Sequence, residues 1–189
     1  MKSVKINPLA GRFLSWSSRH FFKSEAFSCA QELREAKKVL ICMPSSMDRF
    51  ALAKEALPAL AHVFNEKIVL VLLPFLKTDG FLSIPPGYEV IYPHPEDLRT
   101  FSIPGENLIQ KVKGYQFGIS LDLELDDNLF NCYLCLSCGI PVRIGPQRKS
   151  AYPFYNVQLT LADNDSNSPV VYRSISKTLM NLFIDNQTK

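Results

Sequence analysis

The sequence predicts an α/β fold, a mostly parallel sheet with helices on both faces. Three observations carry the prediction. First, six short apolar runs recur along the chain: KVLICM (38–43), KIVLVLL (67–73), EVIYP (89–93), QFGISLDL (116–123), VRIG (142–145) and NVQLTLA (156–162). Continuous β-branched runs of this length suit strands buried on both faces, where alternation with polar residues is not required. Second, the stretches between them carry helical spacing, the pattern of βαβ units joined by right-handed crossovers. Third, 189 residues, 47% of them apolar and 21% charged, suffice for one well-buried domain and fall short of two ordinary ones.

Residues 1–24 hold Lys2, Lys5, Arg12, Arg19 and Lys23 and no acid, interleaved with Phe13, Trp16, Phe21 and Phe22. Helical from Leu9, this segment stacks Leu9, Phe13, Trp16 and His20 on one stripe flanked by Arg12, Arg19 and Lys23. A second helix is expected over 24–36, so residues 1–37 form a basic, aromatic, helical segment ahead of a domain at 38–189. After the first strand, residues 47–65 place Phe50, Ala53, Leu57, Leu60 and Phe64 at three- and four-residue steps. The Pro- and Gly-rich region 73–104 reads as long loops at the sheet edge, and helices follow at 107–113 and 127–138. In the tail, 163–168 is a polar loop, Ser168 an N-cap and Pro169 a first helical residue. Val171, Ile175, Leu179 and Leu182 then line one face of a closing helix.

Charge and cysteine usage exclude some classes. A net charge of +3 is too mild for a nucleic-acid footprint, and no nucleic-acid partner is expected. No run of about eighteen apolar residues offers a membrane span, and the N-terminus lacks the continuous apolar core of a secretory signal. The five cysteines read as free thiols in a reducing compartment, which implies a cytoplasmic location.

Four clusters carry candidate chemistry. Cys132, Cys135 and Cys138 have the two-residue gaps of thiolate cluster ligands. Interleaved with Leu134 and Leu136 in a predicted helix, they form one packing stripe without a fourth ligand, and neither metal nor other cofactor is expected. PSSMDRFALAKEALPAL (44–60) follows the first strand directly and places Ser45, Ser46 and Asp48 at its carboxyl end, the edge where open α/β sheets bind ligands. Ser46 or Asp48 equally suits a helix cap that complements the dipole. SLDLELDDN (120–128) sets Asp122, Glu124, Asp126 and Asp127 at another strand end, for a cation, a sugar hydroxyl or a cap. The basic aromatic helix, with Arg12, Phe13, Trp16, Arg19 and Lys23 as contact residues, suits an anionic membrane surface or packing on the domain or another subunit. His20, His62 and His94 show no metal-ligand spacing, and no nucleotide-binding glycine motif occurs.

KVLICMPSSMDRFALAKEALPAL, GYQFGISLDL and LCLSCGIPVRIGPQRKSAYPFYN, within a match over about 38–182, resemble landmarks of one family. These are an apolar strand with a Ser-Ser-Met-Gly-Asp-like turn and a Leu-Pro-Ala-Leu helix end, a Tyr-Asp-x-x-Ile-Asp-Leu strand, and a Gly-x-x-x-Arg-Ile-Gly strand with an aromatic loop. The family is the lipopolysaccharide heptosyltransferases, glycosyltransferase family nine, and the similarity is to their N-terminal domain. It implies a Rossmann-like domain, one half of a GT-B architecture whose N-terminal domain takes the acceptor and whose C-terminal domain binds the nucleotide-activated sugar. It further implies Asp48 as general base on the acceptor hydroxyl while the sugar is displaced with inversion. Ser45, Ser46, Asp122 and Arg143 would then contact acceptor or ligand. The glycine that precedes this Asp in the family is absent here, Arg49 follows it, and Gln116 stands where the strand motif has Asp.

The sequence therefore points to a stand-alone heptosyltransferase-like domain, non-catalytic by itself. It would bind or scaffold in bacterial cell-envelope glycan assembly, at the inner face of the membrane. The alternative is an acceptor-binding subunit completed by a separate donor-binding chain or by a homodimer, with Asp48 as base and Arg143 or Arg148 near phosphate. A metal or redox protein using the cysteine stripe is a third reading.

Overall fold

The computed structural model describes residues 3–21, 29–64, 67–75, 84, 86–148, 153–161 and 170–185. Two helices, α1 (Pro8–Phe21) and α2 (Cys29–Glu35), precede β1 (Lys38–Cys42). Then come α3 (Met47–Val63), β2 (Ile68–Leu72), β3 (Glu89–Ile91), α4 (Glu106–Gly114), β4 (Ile119–Asp122), α5 (Phe130–Ser137), β5 (Val142–Pro146), β6 (Val157–Leu159) and α6 (Val170–Asp185). The six strands form one sheet in the order β3-β2-β1-β4-β5-β6, and every neighbouring pair is parallel. This is the Rossmann-like α/β sheet expected from the alternating runs, with β1 and β4 meeting where the order changes direction.

Two cores lie on the two faces, because successive strand side chains point to opposite sides. Val39, Ile41 and Met43 face the core shared with α3 and α6, where Tyr172 is fully buried and Phe64 meets Phe183 edge to face at 5.1 Å. Leu40 and Cys42 face the other core, with Leu108 and Val112 of α4 and Phe130, Leu134 and Cys135 of α5. Pro58 sits inside α3 on its exposed side, so the hydrogen bond it cannot donate is lost where water is available.

Several boundaries differ from those the sequence predicts. β4 begins at Ile119 rather than 116, because Gln116 takes a left-handed backbone (φ 57°) that ends the approach to the strand. α5 begins at Phe130 rather than 127, because residues 124–128 are held as a loop by the Arg148 guanidinium. It ends in a Schellman turn: Ile140 N–H donates to the Cys135 carbonyl, Gly139 N–H to the Leu136 carbonyl, and Gly139 adopts φ 69°. The predicted cap at Ser168 and Pro169 lies outside the described residues.

The N-terminal segment belongs to the domain's packing. Val4, Ile6 and Leu14 join the α5-side core and Leu33 the other. Ser3 forms an antiparallel bridge with Phe75, and Val4 N–H donates to the Pro74 carbonyl at 2.8 Å. The Asn128 side chain accepts from Ile6 N–H and donates to the Val4 carbonyl at 3.1 Å. Residues 3–6 are thus pinned between the end of β2 and the loop after β4, the strands that flank β1. Among the described residues no helix is long and apolar enough to cross a membrane.

Candidate functional site

Cys42 and Asp122 are register partners, so the carboxyl ends of β1 and β4 lie side by side. Leu123 N–H donates to the Cys42 carbonyl at 3.0 Å and carries the pairing one step past the strand. The crevice at this point is closed by the chain's own side chains. Ser45 donates to Glu124 Oε2 through its N–H at 2.9 Å and its hydroxyl at 2.6 Å, and Asp126 N–H donates to Glu124 Oε1 at 3.1 Å. Ser45 is 2% exposed and Glu124 is fully buried. A carboxylate with three donors from two adjacent loops locks the β1–α3 turn to the β4–α5 loop.

Asp122 anchors a second network beneath this lock. Its Oδ2 accepts from the Tyr155 hydroxyl at 2.6 Å, and its Oδ1 accepts from Asn131 Nδ2 and from Glu124 N–H, both at 3.0 Å. Asn131 also donates to the Met43 carbonyl at 3.0 Å, tying α5 to the end of β1. Arg148 Nη2 lies 3.9 Å from Asp122 Oδ2 and donates to the Tyr155 hydroxyl at 2.7 Å. The same guanidinium donates to the carbonyls of Glu124, Asp126 and Asn128 and stands over the Tyr155 ring, 5.6 Å from its centroid. Asn131 Oδ1 and Arg148 Nε are buried without a partner.

The electrostatics follow from burial. Desolvation lifts the Asp122 carboxyl above its ordinary range, although Arg148, the Tyr155 hydroxyl, the Asn131 amide and the Glu124 N–H each pull it down. Burial also works against the Arg148 charge, but Tyr155, Asp122, Cys132 and Glu124 outweigh it and its pKa stands above the usual value. Tyr155 is pushed well up, first by burial and then by Asp122. The result is a fixed, desolvated ion pair within a hydrogen-bonded cluster.

Asp48 lies apart from both networks. It is an exposed residue in the first turn of α3 with no hydrogen bond or ion pair to a side chain among the described residues, while Ser46 occupies the N-cap position without a side-chain cap bond. Arg49, the next residue, pairs with Asp126 at 3.2 Å. Of the predicted edge residues, the fold brings Ser45 and Asp122 together through Glu124 and leaves Ser46 and Asp48 at the open side. Arg143 is placed elsewhere. It is in register with Ser120, two residues short of Asp122, and donates to the carbonyls of Phe154 (2.8 Å) and Ile140 (2.6 Å). Burial lowers its pKa.

The cysteine stripe packs against β1. Cys132 and Cys135 are buried, and Cys135 Sγ stands 3.7 Å from Cys42 Sγ. Burial raises the Cys42 and Cys132 thiols and pushes Cys138 up to about 12, which disfavours the thiolate form that metals bind. Among the described residues no group of three His, Cys, Asp or Glu side chains is placed to hold a metal ion.

The aromatic stripe of α1 faces outward, with Leu9 76%, Phe13 64% and Trp16 55% exposed. Arg12 is also exposed, Lys23 lies outside the described residues, and the Arg19 side chain is not among those described. Tyr155, Asn131 and Arg148 complete the Asp122 network from three separate places. One sequence signal for Tyr155 is Gly145: a Cβ there would sit 2.4 Å from Tyr155 Cζ, so the ring lies flat on the glycine.

No protein-family model and no curated protein sequence matches the chain. Among solved structures, the ADP-heptose lipopolysaccharide heptosyltransferase II of E. coli matches with a TM-score of 0.55 at 17% identity. The match covers 74% of this chain and 40% of that one, so the chain spans less than half the length of the enzyme. The likeness is one of fold, and it agrees with the heptosyltransferase resemblance of the three sequence landmarks. The chain folds as a Rossmann-like domain similar to the part of that structure which it covers.

Proposed function

We propose that the domain is a binding or scaffolding module of heptosyltransferase-like fold in cell-envelope glycan assembly, non-catalytic by itself. The observation that supports it is the closed crevice at the ends of β1 and β4. Its two buried acids are spent on neighbouring side chains: Glu124 on Ser45, and Asp122 on Tyr155, Asn131 and Arg148. Residues 3–6 are pinned on both sides of the end of β1. A general base also needs a positioned acceptor and a group that orients it. Asp48 is exposed and has no such partner among the described residues.

The same exposure favours a second reading. Asp48 at the open edge is free to act as base in an acceptor-binding subunit, once a separate donor-binding chain or a second copy supplies the nucleotide site. Transfer from ADP-heptose to lipopolysaccharide acceptors, assayed with and without co-purifying chains, separates the two. The scaffold reading expects no transfer and identical ligand binding by wild type and Asp48→Ala. Heptosyl transfer that disappears in Asp48→Ala would replace it with the subunit reading.

A further inference from the structure

The outward face of α1 exposes a cluster of large apolar side chains. Helical periodicity divides α1 into two opposed faces. Leu14, Gly11 and Ser18 form the inner one, with Gly11 so close to Leu129 that an added Cβ would come within 3.3 Å of its Cδ1. The outer face carries Leu9, Phe13 and Trp16, with the Phe13 and Trp16 rings 6.0 Å apart. Phe101, 58% exposed, extends the apolar surface beside the start of the helix, where its carbonyl accepts from Asn7 N–H at 3.2 Å. Because residues 3–7 are tied to Pro74, Phe101 and Asn128, this face is preformed rather than assembled on contact.

We propose that this face of α1 binds an anionic lipid bilayer surface. Charge complementarity selects that occupant. Residues 1–24 hold five basic residues and no acid; Lys5 and Arg12 are exposed, and helical spacing sets Arg12 beside Leu9 and Trp16. Aromatic residues beside cations suit the interface of an anionic leaflet, where rings sit at headgroup depth and cations meet phosphate. A helix of 14 residues is about 21 Å long, enough to lie in the interface and too short to cross it. A second copy of the chain would bring the same basic residues face to face, which opposes pairing through this stripe. The inference stands whether or not the domain is catalytic.

Trp16 is the only tryptophan in the chain, so its fluorescence reports on this face alone. The full chain is titrated with phosphatidylglycerol vesicles and with phosphatidylcholine vesicles. Expected are a blue shift, quenching by lipids brominated near the headgroup, flotation with the anionic vesicles only, and release at high salt. Phe13→Ser weakens partitioning about tenfold and Arg12→Gln about fivefold. Both positions are exposed, and circular dichroism confirms that the variants fold. Unchanged Trp16 emission with anionic vesicles, equal binding to phosphatidylcholine, or full binding by both variants would overturn the proposal. So would a lipid-free blue shift that grows with protein concentration, which assigns the stripe to a second copy.

Discussion

Replacing Arg148 by Met tests whether the Asp122 network holds the sheet edge together. The substitution keeps much of the side chain's volume and removes its charge and its donors to Tyr155 and three loop carbonyls. The Arg148 and Asp122 side chains are 8% and 2% exposed, so the carboxylate left behind has no solvent to turn to. Removing one partner of a buried pair costs about 3–5 kcal/mol, because an uncompensated charge remains. Against a domain stability of about 5–15 kcal/mol that is a large share. For a slope of about 2 kcal/mol per molar urea, the unfolding midpoint falls by about 2 M.

The pH dependence gives the sharper test. Burial raises the folded Asp122 pKa, and Arg148 is the strongest influence pulling it back. A carboxyl with a raised folded pKa binds its proton more tightly in the native state. Its contribution is therefore complete below the unfolded value of about 3.9 and is lost as pH rises through the folded pKa. Without Arg148 the folded pKa rises further and the loss at neutral pH deepens. The gap between wild type and Arg148→Met in urea unfolding should thus shrink by roughly half between pH 7 and about pH 4. Asp122→Asn combined with Arg148→Met should recover part of the loss, since no lone charge remains. A penalty under about 1 kcal/mol at neutral pH, or one independent of pH, would refute the ion-pair account.

Four further outcomes follow from single substitutions elsewhere in the domain. Gly145→Ala pushes a methyl into the Tyr155 ring and should cost about 1–3 kcal/mol by overpacking, with altered near-ultraviolet tyrosine dichroism as the ring leaves Asp122. Ser45→Ala takes the 2.6 Å hydroxyl donor from the buried Glu124 and should cost about 1.5–3 kcal/mol in urea unfolding. Asp48→Ala, on the exposed side of the same turn, should stay within about 0.5 kcal/mol of wild type. Gln116→Gly should raise stability by about 0.5–1 kcal/mol, because an exposed side chain there forces φ 57° on an L-residue.

The parallel sheet was legible because strands buried on both faces leave unbroken apolar runs, and KVLICM and KIVLVLL read almost to the residue. β4 was read three residues too early because nothing local in QFGISLDL announces the left-handed Gln116. At the site, Ser45, Asp122 and Glu124 were visible as polar residues at strand ends, where chain direction alone puts them at one edge. Their use was not visible, since it depends on which groups arrive from elsewhere. Asn131 reaches Asp122 from 9 residues away and Tyr155 from 33, while Ser45 and Glu124 are 79 apart. Such separations leave no periodicity to read.

One part of that long-range geometry does leave a trace. A glycine near the end of a buried strand gives up side-chain packing and backbone entropy, so its place in VRIG needs a reason. The reason is Tyr155: only a bare Cα lets the ring lie flat against β5 and aim its hydroxyl at Asp122. VRIG with the aromatic loop after it is therefore a single device, in which the strand supplies the floor and the loop supplies the donor. Arg143 in the same motif follows the same logic, for it holds the carbonyl of Phe154, next to Tyr155, at 2.8 Å. The motif's arginine thus acts on the loop that carries the tyrosine, and the tyrosine acts on the acid. A resemblance carried by this strand and loop can persist for the sake of folding alone, so these residues by themselves carry no argument for activity.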